Sequence, residues 1–298
     1  MDEQSWLSER FEADRPRLRG VAYRMLGSLS EAEDAVQEAW LRLTRVDAAA
    51  VENLSGWLTT VVSRVCLDTL RSRRSRREEP IDAPAVGPPV AHGAGADPES
   101  EVAMADAVGV ALLVVLDALS PAERLAFVLH DLFALPFDEI GAILGRRPDA
   151  VRQLASRARR RVRGSPAPAD ASRARQRRVV EAFLHAVRGG DLAGLLTVLD
   201  PDAVIHVDAA ARIDAPPSEA GQPREIRGAS NWARQLIALA PRLPFGQPAL
   251  IDGSIGLIAA PHGRLTRALI FTIAGDRLTR LEVVADPARL RGLDIAVP

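Results

Sequence analysis

Apolar positions recur with a helical period through the first half of the chain and with a period near two toward its end. Ala35, Val36, Ala39, Trp40 and Leu43 share one helical face, and Ser30 with Glu33 forms a capping-box pair that marks the predicted start. Leu58, Val61, Val62, Val65 and Leu70 predict a second helix between Trp57 and Arg74. Ser120-Pro121-Ala122-Glu123 opens another, with Phe127, Val128 and Leu132 continuing its apolar face. A short helix with Phe137, Ile140, Ile143 and Leu144 inward follows, closed by Gly145. Pro148 then opens a helix whose stripe is Val151, Leu154, Ala158 and Val162.

The last part of the chain changes period. Val179–Val187, Leu192–Leu199 and Asn231–Leu239 predict helices, and Ala203–Val207 a strand. Ala249–Ile251, Ser254–Ala259, Leu265–Ile273 and Arg277–Val284 are separated by Gly-containing turns and predict an antiparallel meander. Helices first and strands later make an α+β domain. Between the helical segments, Glu78–Pro98 is rich in Pro and Gly and reads as a linker. The expected organisation is multidomain: an all-α unit over 1–77, a linker over 78–110, a second all-α unit over 111–163 and an α+β domain over 174–298.

The chain has 298 residues, enough for two or three domains, and a formal net charge of -1. Taken as a total, that charge argues against a nucleic-acid partner. Its distribution argues the opposite. Trp57–Arg77 carries a net +5, Glu78–Ala118 a net -8 and Gly145–Arg163 a net +7, while from Glu181 on 12 Arg meet 13 acids. All 38 basic residues are Arg, which coding bias accounts for, so only their placement informs. The one cysteine, Cys66, excludes an internal disulfide and a multi-cysteine metal site, and its apolar neighbours predict a buried, inert thiol. The five His have no ligand spacing, so neither metal nor cofactor is expected. The acidic start lacks a signal-peptide core, and no apolar run approaches the ~20 residues of a membrane span, so a cytoplasmic protein without membrane contact is expected.

Residues 137–163 have the pattern of a helix-turn-helix, whose second helix enters the major groove. There Gln153 can pair with adenine and Arg157 with guanine, while Arg146, Arg147, Arg159, Arg160 and Arg163 suit phosphates. A plain αα-hairpin with a solvated basic face has the same pattern. The Arg run 71–77 also fits a charged helix end that complements the macrodipole before a linker. Two basic helices on one tether could grip two stretches of one duplex. His206 and Asp208 end one strand as an acid–base pair would, although the alternation of Val204, Ile205 and Val207 explains that strand without catalysis. No enzymatic activity is expected.

Residues 11–77 and 115–163 resemble the two core regions of the sigma-70 family, in its extracytoplasmic-function (ECF) branch. The resemblance lies in Leu18 to Ser28, Ala32 to Leu43 and Gly56 to Arg74 for region 2, and in Leu119 to Arg124, Phe137 to Ile140 and Val151 to Ala158 for region 4. The third unit is similar to the SnoaL-like branch of the cone-shaped nuclear-transport-factor-2-like fold. The resemblance implies an RNA polymerase sigma factor, with core polymerase and promoter DNA as partners. Asp34, Gln37, Glu38 and Leu41, which share a helical face, would meet the clamp helices of the largest subunit, and region 4 the flap region. Asn53, Trp57, Arg64, Asp68, Arg71, Arg73 and Arg74 would hold the −10 element. Arg147, Arg152, Gln153, Ser156, Arg157 and Arg160 would read the −35 element. The C-terminal domain would act as a built-in regulator, with no separate anti-sigma factor required. Its regulatory loop, Asp208, Ala209, Ala210, Ala211 and Arg212, stands where the subgroup carries Asp-Gly-Gly-Gly-Lys, and Ala85-Val86-Gly87-Pro88-Pro89 replaces a Trp-Leu-Pro-Glu-Pro linker signature. The alternative is a one-component, ligand-responsive helix-turn-helix regulator, which has no need of the 11–77 unit. A third reading, an enzyme with a DNA-binding extension, predicts turnover by residues 174–298.

Overall fold

In the computed structural model, which describes residues 3–46, 51, 53–78, 109–164, 170–211, 222–239 and 246–298, helix α1 (Glu3–Leu26) stops at Gly27, whose φ is +76°. Ser28 follows in extended backbone and caps α2 (Leu29–Leu43) by accepting from the Glu31 amide. The helix therefore starts two residues before the expected Ser30. Both serines have Glu three positions on, and the turn at Gly27 selects the first. Leu29, Ala32, Ala35, Val36, Ala39 and Leu43 are buried along one face of α2. Helix α3 (Leu54–Glu78) is tied to α1 by Arg17, which donates to Ser55 Oγ at 2.8 Å and Thr59 Oγ1 at 2.7 Å. Most of the expected 78–110 linker lies outside the described residues, as do the Arg76 and Arg77 side chains.

Helix α4 (Val110–Asp117) is apolar on all sides. Ser120 and Glu123 close the expected capping box at the start of α5 (Pro121–Phe127), and a wide π-type turn, Val128–Leu132, continues it. Helices α6 (Phe137–Leu144) and α7 (Pro148–Arg163) form the helix-turn-helix. Leu132, expected on the apolar face, is 38% exposed because the π-type turn rotates it outward.

Two compact units result: Met1–Gly109 with Leu116–Arg159, and Val110–Val115 with Arg160–Pro298. Their dividing points fall inside α4 and α7. In the second unit, α8 (Asp170–Gly189), α9 (Leu192–Val198) and α10 (Ala229–Leu239) accompany a seven-stranded sheet. Its strands are β1 (Leu199–Val207), β2 (Arg224–Arg227), β3 (Gln247–Ile251), β4 (Ser254–Ala259), β5 (Arg267–Ala274), β6 (Arg277–Val284) and β7 (Ile295–Ala296), ordered β2-β1-β6-β5-β4-β3-β7. The meander β3 to β6 is antiparallel, whereas β1 pairs parallel to β6.

One face of the sheet carries the main core. Phe183 stacks on Trp232 with centroids 5.5 Å apart and meets the edge of Phe271 at 5.3 Å, among Ile205, Leu257 and Leu281. The other face seats Ala111 and Val114 of α4 and Leu290 of α11 (Pro287–Gly292) against Ala249, Ile258, Ala268 and Val284. Val297, just after β7, also reaches the end of α7: its amide donates to the Val162 carbonyl at 3.2 Å.

Candidate nucleic-acid interface

The turn between α6 and α7 is built by two glycines. Gly145 has φ +64°, a left-handed conformation that suits glycine. The amides of Gly145 and Arg146 both turn back to the Gly141 carbonyl. Gly141 lets the chain return closely, since a Cβ there would lie 2.6 Å from the Arg146 carbonyl oxygen. Helix α7 then buries Val151, Leu154, Ala155 and Ala158. Its opposite face presents Arg152, Gln153, Ser156, Arg157 and Arg160, all exposed, and Arg147 is exposed in the turn just before it. Arg152 pairs with Asp149 at 2.6 Å and lies over the Phe137 ring at 5.6 Å. Arg157 is 4.0 Å from Glu123, and Arg159 is paired with Asp131 at 2.5 Å. The face is strongly cationic, and two guanidiniums of α7, Arg157 and Arg159, have acids from α5 and its π-type turn beside them.

Helix α3 divides the expected −10 residues. Arg64, Asp68, Arg71 and Arg74 are exposed, with Arg71 3.7 Å from Asp68. Arg73 points the other way, paired with Glu31 and donating to the Leu26 carbonyl at 3.2 Å. Asn53 is exposed and caps α3, its side-chain oxygen accepting from the Gly56 amide at 3.0 Å. Trp57 is half-buried. On α2, Asp34 and Gln37 are exposed, Glu38 pairs with Arg42 at 2.8 Å, and Leu41 is 42% exposed.

The expected regulatory loop has a structural role at its first residue. One Asp208 oxygen accepts from the Ala211 amide at 2.9 Å, and the other from the amides of Ala285 and Asp286 at 2.7 and 2.8 Å. Ala209–Ala211 make a single 3-10 turn, and Arg212 lies outside the described residues. Asp208 is thus engaged by three backbone donors and is not free to pair with a catalytic His206. His206 faces its cross-strand neighbour Glu225 at 3.5 Å, beside an open groove of about 430 Å³ that Arg224, Arg280, Glu282 and Arg289 also line. Among the described residues no cluster of His, Cys, Asp or Glu has the makings of a metal site. No described helix is long and apolar enough to cross a membrane.

Cys66 is fully buried, and burial pushes its thiol up to about 12. One buried charge lies outside every site that the sequence pattern marks. Arg124 is 2% exposed, and burial brings its guanidinium down to about 10 despite Asp117 beside it. Its only signal is a charge on the apolar face of α5, one helical turn before Val128.

Residues 10–76 match the family model for Sigma-70 region 2, and residues 109–162 that for Sigma-70, region 4. The chain is 35% identical over 290 residues to the "Probable ECF RNA polymerase sigma factor SigI" of Mycobacterium tuberculosis, covering 97% of each. It is 36% identical over 296 residues to the "ECF RNA polymerase sigma factor SigJ" of the same species, covering 95% of this chain and 92% of that one. The crystal structure of Mycobacterium tuberculosis SigJ aligns over 96% of this chain and 98% of that one, at 34% identity and a TM-score of 0.45. A helix-turn-helix with a cationic outer face, a three-helix domain before it and relatives matched along almost their whole length place the chain in one family: it belongs to the ECF sigma factors of RNA polymerase.

Proposed function

We propose that this ECF sigma factor divides promoter recognition between the exposed faces of α3 and α7. In this reading α7 lies in the major groove of the −35 duplex. Gln153 and Arg157 address base edges, and Arg147, Arg152, Ser156 and Arg160 set the register on the backbone. Helix α3 holds the −10 strand with Arg64, Asp68, Arg71 and Arg74, and Trp57 and Asn53 lie near enough to its start to meet an unstacked base. Arg73, engaged within region 2, acts by positioning α3. Asp34, Gln37, Glu38 and Leu41 form the face offered to the clamp helices of the largest polymerase subunit, and region 4 meets the flap region. The factor acts in the cytoplasm and performs no covalent chemistry.

The C-terminal domain, residues 174–298, modulates activity in the same chain, so that no separate anti-sigma factor is needed. Its sheet seats α4 residues that belong to region 4, and Val297, just after its last strand, bonds the end of α7. A change in that domain therefore reaches both ends of region 4. The loop from Asp208 to Arg212 would serve as its regulatory element.

The observation that carries the promoter reading is that Arg152, Gln153, Ser156, Arg157 and Arg160 of α7 are all exposed, with Arg147 exposed in the turn before it. The test is fluorescence anisotropy with −35 duplexes varied one base pair at a time. Arg157→Ala should cost about 1–3 kcal/mol at one base position and relax specificity there. Uniform weakening across all sequences would make Arg157 a phosphate contact instead.

A further inference from the structure

The C-terminal end of α1 is held by two arginines that come from far away in the chain. The last carbonyls of a helix lack intrahelical partners and carry the negative end of the macrodipole. Arg73, on α3, donates to the Leu26 carbonyl at 3.2 Å. Arg124, on α5, donates through Nε to the Arg24 carbonyl at 2.9 Å and has the Asp117 carboxylate 3.6 Å from Nη1. Arg73 belongs to region 2, as α1 does. Arg124 belongs to region 4 and is the charged group that region 4 buries in region 2. A second contact lies beside it. Phe133, just after the π-type turn, sits over the Arg24 guanidinium at 5.4 Å and against Gly20, where an added Cβ would be 3.4 Å from the ring. Helix α3 also packs on α5 and α6.

This arrangement leaves both DNA faces exposed yet fixes the distance between them. Elements centred near −35 and −10 are about 25 base pairs apart, or about 85 Å at 3.4 Å per pair. A compact unit of about 150 residues is roughly 40 Å across. With α5 docked on α1, one factor cannot reach both elements. An isolated buried guanidinium is costly in an apolar setting, and removing one partner of a buried pair leaves the other uncompensated. Asp117 lies in region 4 with Arg124, so the docked state is specific to the register in which Arg124 also finds the Arg24 carbonyl.

We propose that Arg124 is a latch: inserted at the C-terminal end of α1, it holds region 4 closed on region 2 in the free factor, and its withdrawal is the step that lets the two regions span a promoter. The latch rests on the assignment of α3 and α7 to separate promoter elements. It acts by geometry and covers neither DNA face. A closed factor binds an isolated −35 duplex but cannot start transcription from a promoter that needs both elements.

The test uses the full chain. Fluorophores on Arg45→Cys and Ala142→Cys, both exposed, report the separation of the two regions by energy transfer, Cys66 being buried. High transfer is expected in the free factor. Arg124→Ala should lower the closed-to-open ratio roughly tenfold, the worth of one charge-assisted hydrogen bond. Phe133→Ala, at a half-buried position, should act in the same direction and covers the case in which Arg124→Ala fails to fold. In a second arm, Gly20→Cys and Phe133→Cys are joined by a short cleavable bismaleimide. The joined factor should keep its −35 duplex affinity, lose run-off transcription with core polymerase, and regain it on cleavage. Unchanged transfer in both Arg124→Ala and Phe133→Ala, or full transcription by the joined factor, would overturn the latch. If unmodified factor with core polymerase transcribes equally well from a promoter lacking its −35 element, the two-element reading fails, and the latch with it.

Discussion

Replacing Gly141 by alanine sets two local energies against each other. Gly141 lies within α6, where alanine is favoured over glycine by about 1 kcal/mol. On propensity alone the substitution stabilises. The structure reverses the sign. The new Cβ would lie 2.6 Å from the Arg146 carbonyl oxygen, a backbone atom of the helix-turn-helix turn that has no flexible side-chain end to move aside. Overpacking of this kind costs about 1–3 kcal/mol. Relief by moving the turn loosens the bonds that the Gly145 and Arg146 amides make to the Gly141 carbonyl, each worth about 1 kcal/mol. We expect a net loss of about 1–2 kcal/mol, a fall in Tm of roughly 2–8 °C for a unit of this size, and a larger proportional loss of −35 duplex affinity, because α7 is re-aimed. Ala142→Gly, one exposed residue along, is the control: it costs about 1 kcal/mol of stability through propensity and leaves DNA affinity unchanged. Thermal unfolding and anisotropy on the same samples separate the two effects. A Gly141→Ala protein with a raised Tm and undiminished −35 affinity would refute the reasoning.

Ser120→Ala removes the capping box of α5 and should cost about 1 kcal/mol in urea unfolding, with little change if Ser120 is replaced by Asp. Leu41→Asp, at an exposed position on α2, should weaken core-polymerase binding roughly tenfold with Tm unchanged; equal binding would move the clamp contact elsewhere. Trp232→Ala, in the stack with Phe183, should cost about 3–5 kcal/mol in the C-terminal domain as seen by its own unfolding transition. Cys66, with its thiol raised to about 12, should resist alkylation at pH 8–9 until the protein unfolds. Because the folded thiol binds its proton more tightly than the unfolded one, its contribution to stability is complete below the unfolded value of about 9 and declines as pH rises toward 12. Fast alkylation of native protein would contradict that burial.

What the sequence disclosed was what short-range chemistry decides. The helix-turn-helix was legible because its stripe, its Pro148 start and its Gly145 stop all lie within 27 residues. The capping box at Ser120 was legible for the same reason. The start of α2 lies two residues before the expected one because Ser28 and Ser30 offer the same local pattern, and only the backbone at Gly27 separates them. Pairing of β1 with β6 joins residues about 75 apart, and β2 is four residues of which only Ile226 is buried, so neither left a periodic signal. Arg73 and Arg124 look like any other arginines until the end of α1 is placed beside them. Asp208 looked like one half of an acid–base pair until the corner at Ala285 and Asp286 supplied its donors. In each case the missing information was a partner distant in sequence.

The most direct measurement is run-off transcription by core RNA polymerase with the purified chain, on a library of promoter-length duplexes with randomised −10 and −35 segments. The account predicts transcripts that start at one defined distance downstream of a selected sequence pair and that vanish when the chain is omitted. Failure of the chain to bind core polymerase, or transcripts whose start sites ignore both segments, would contradict it.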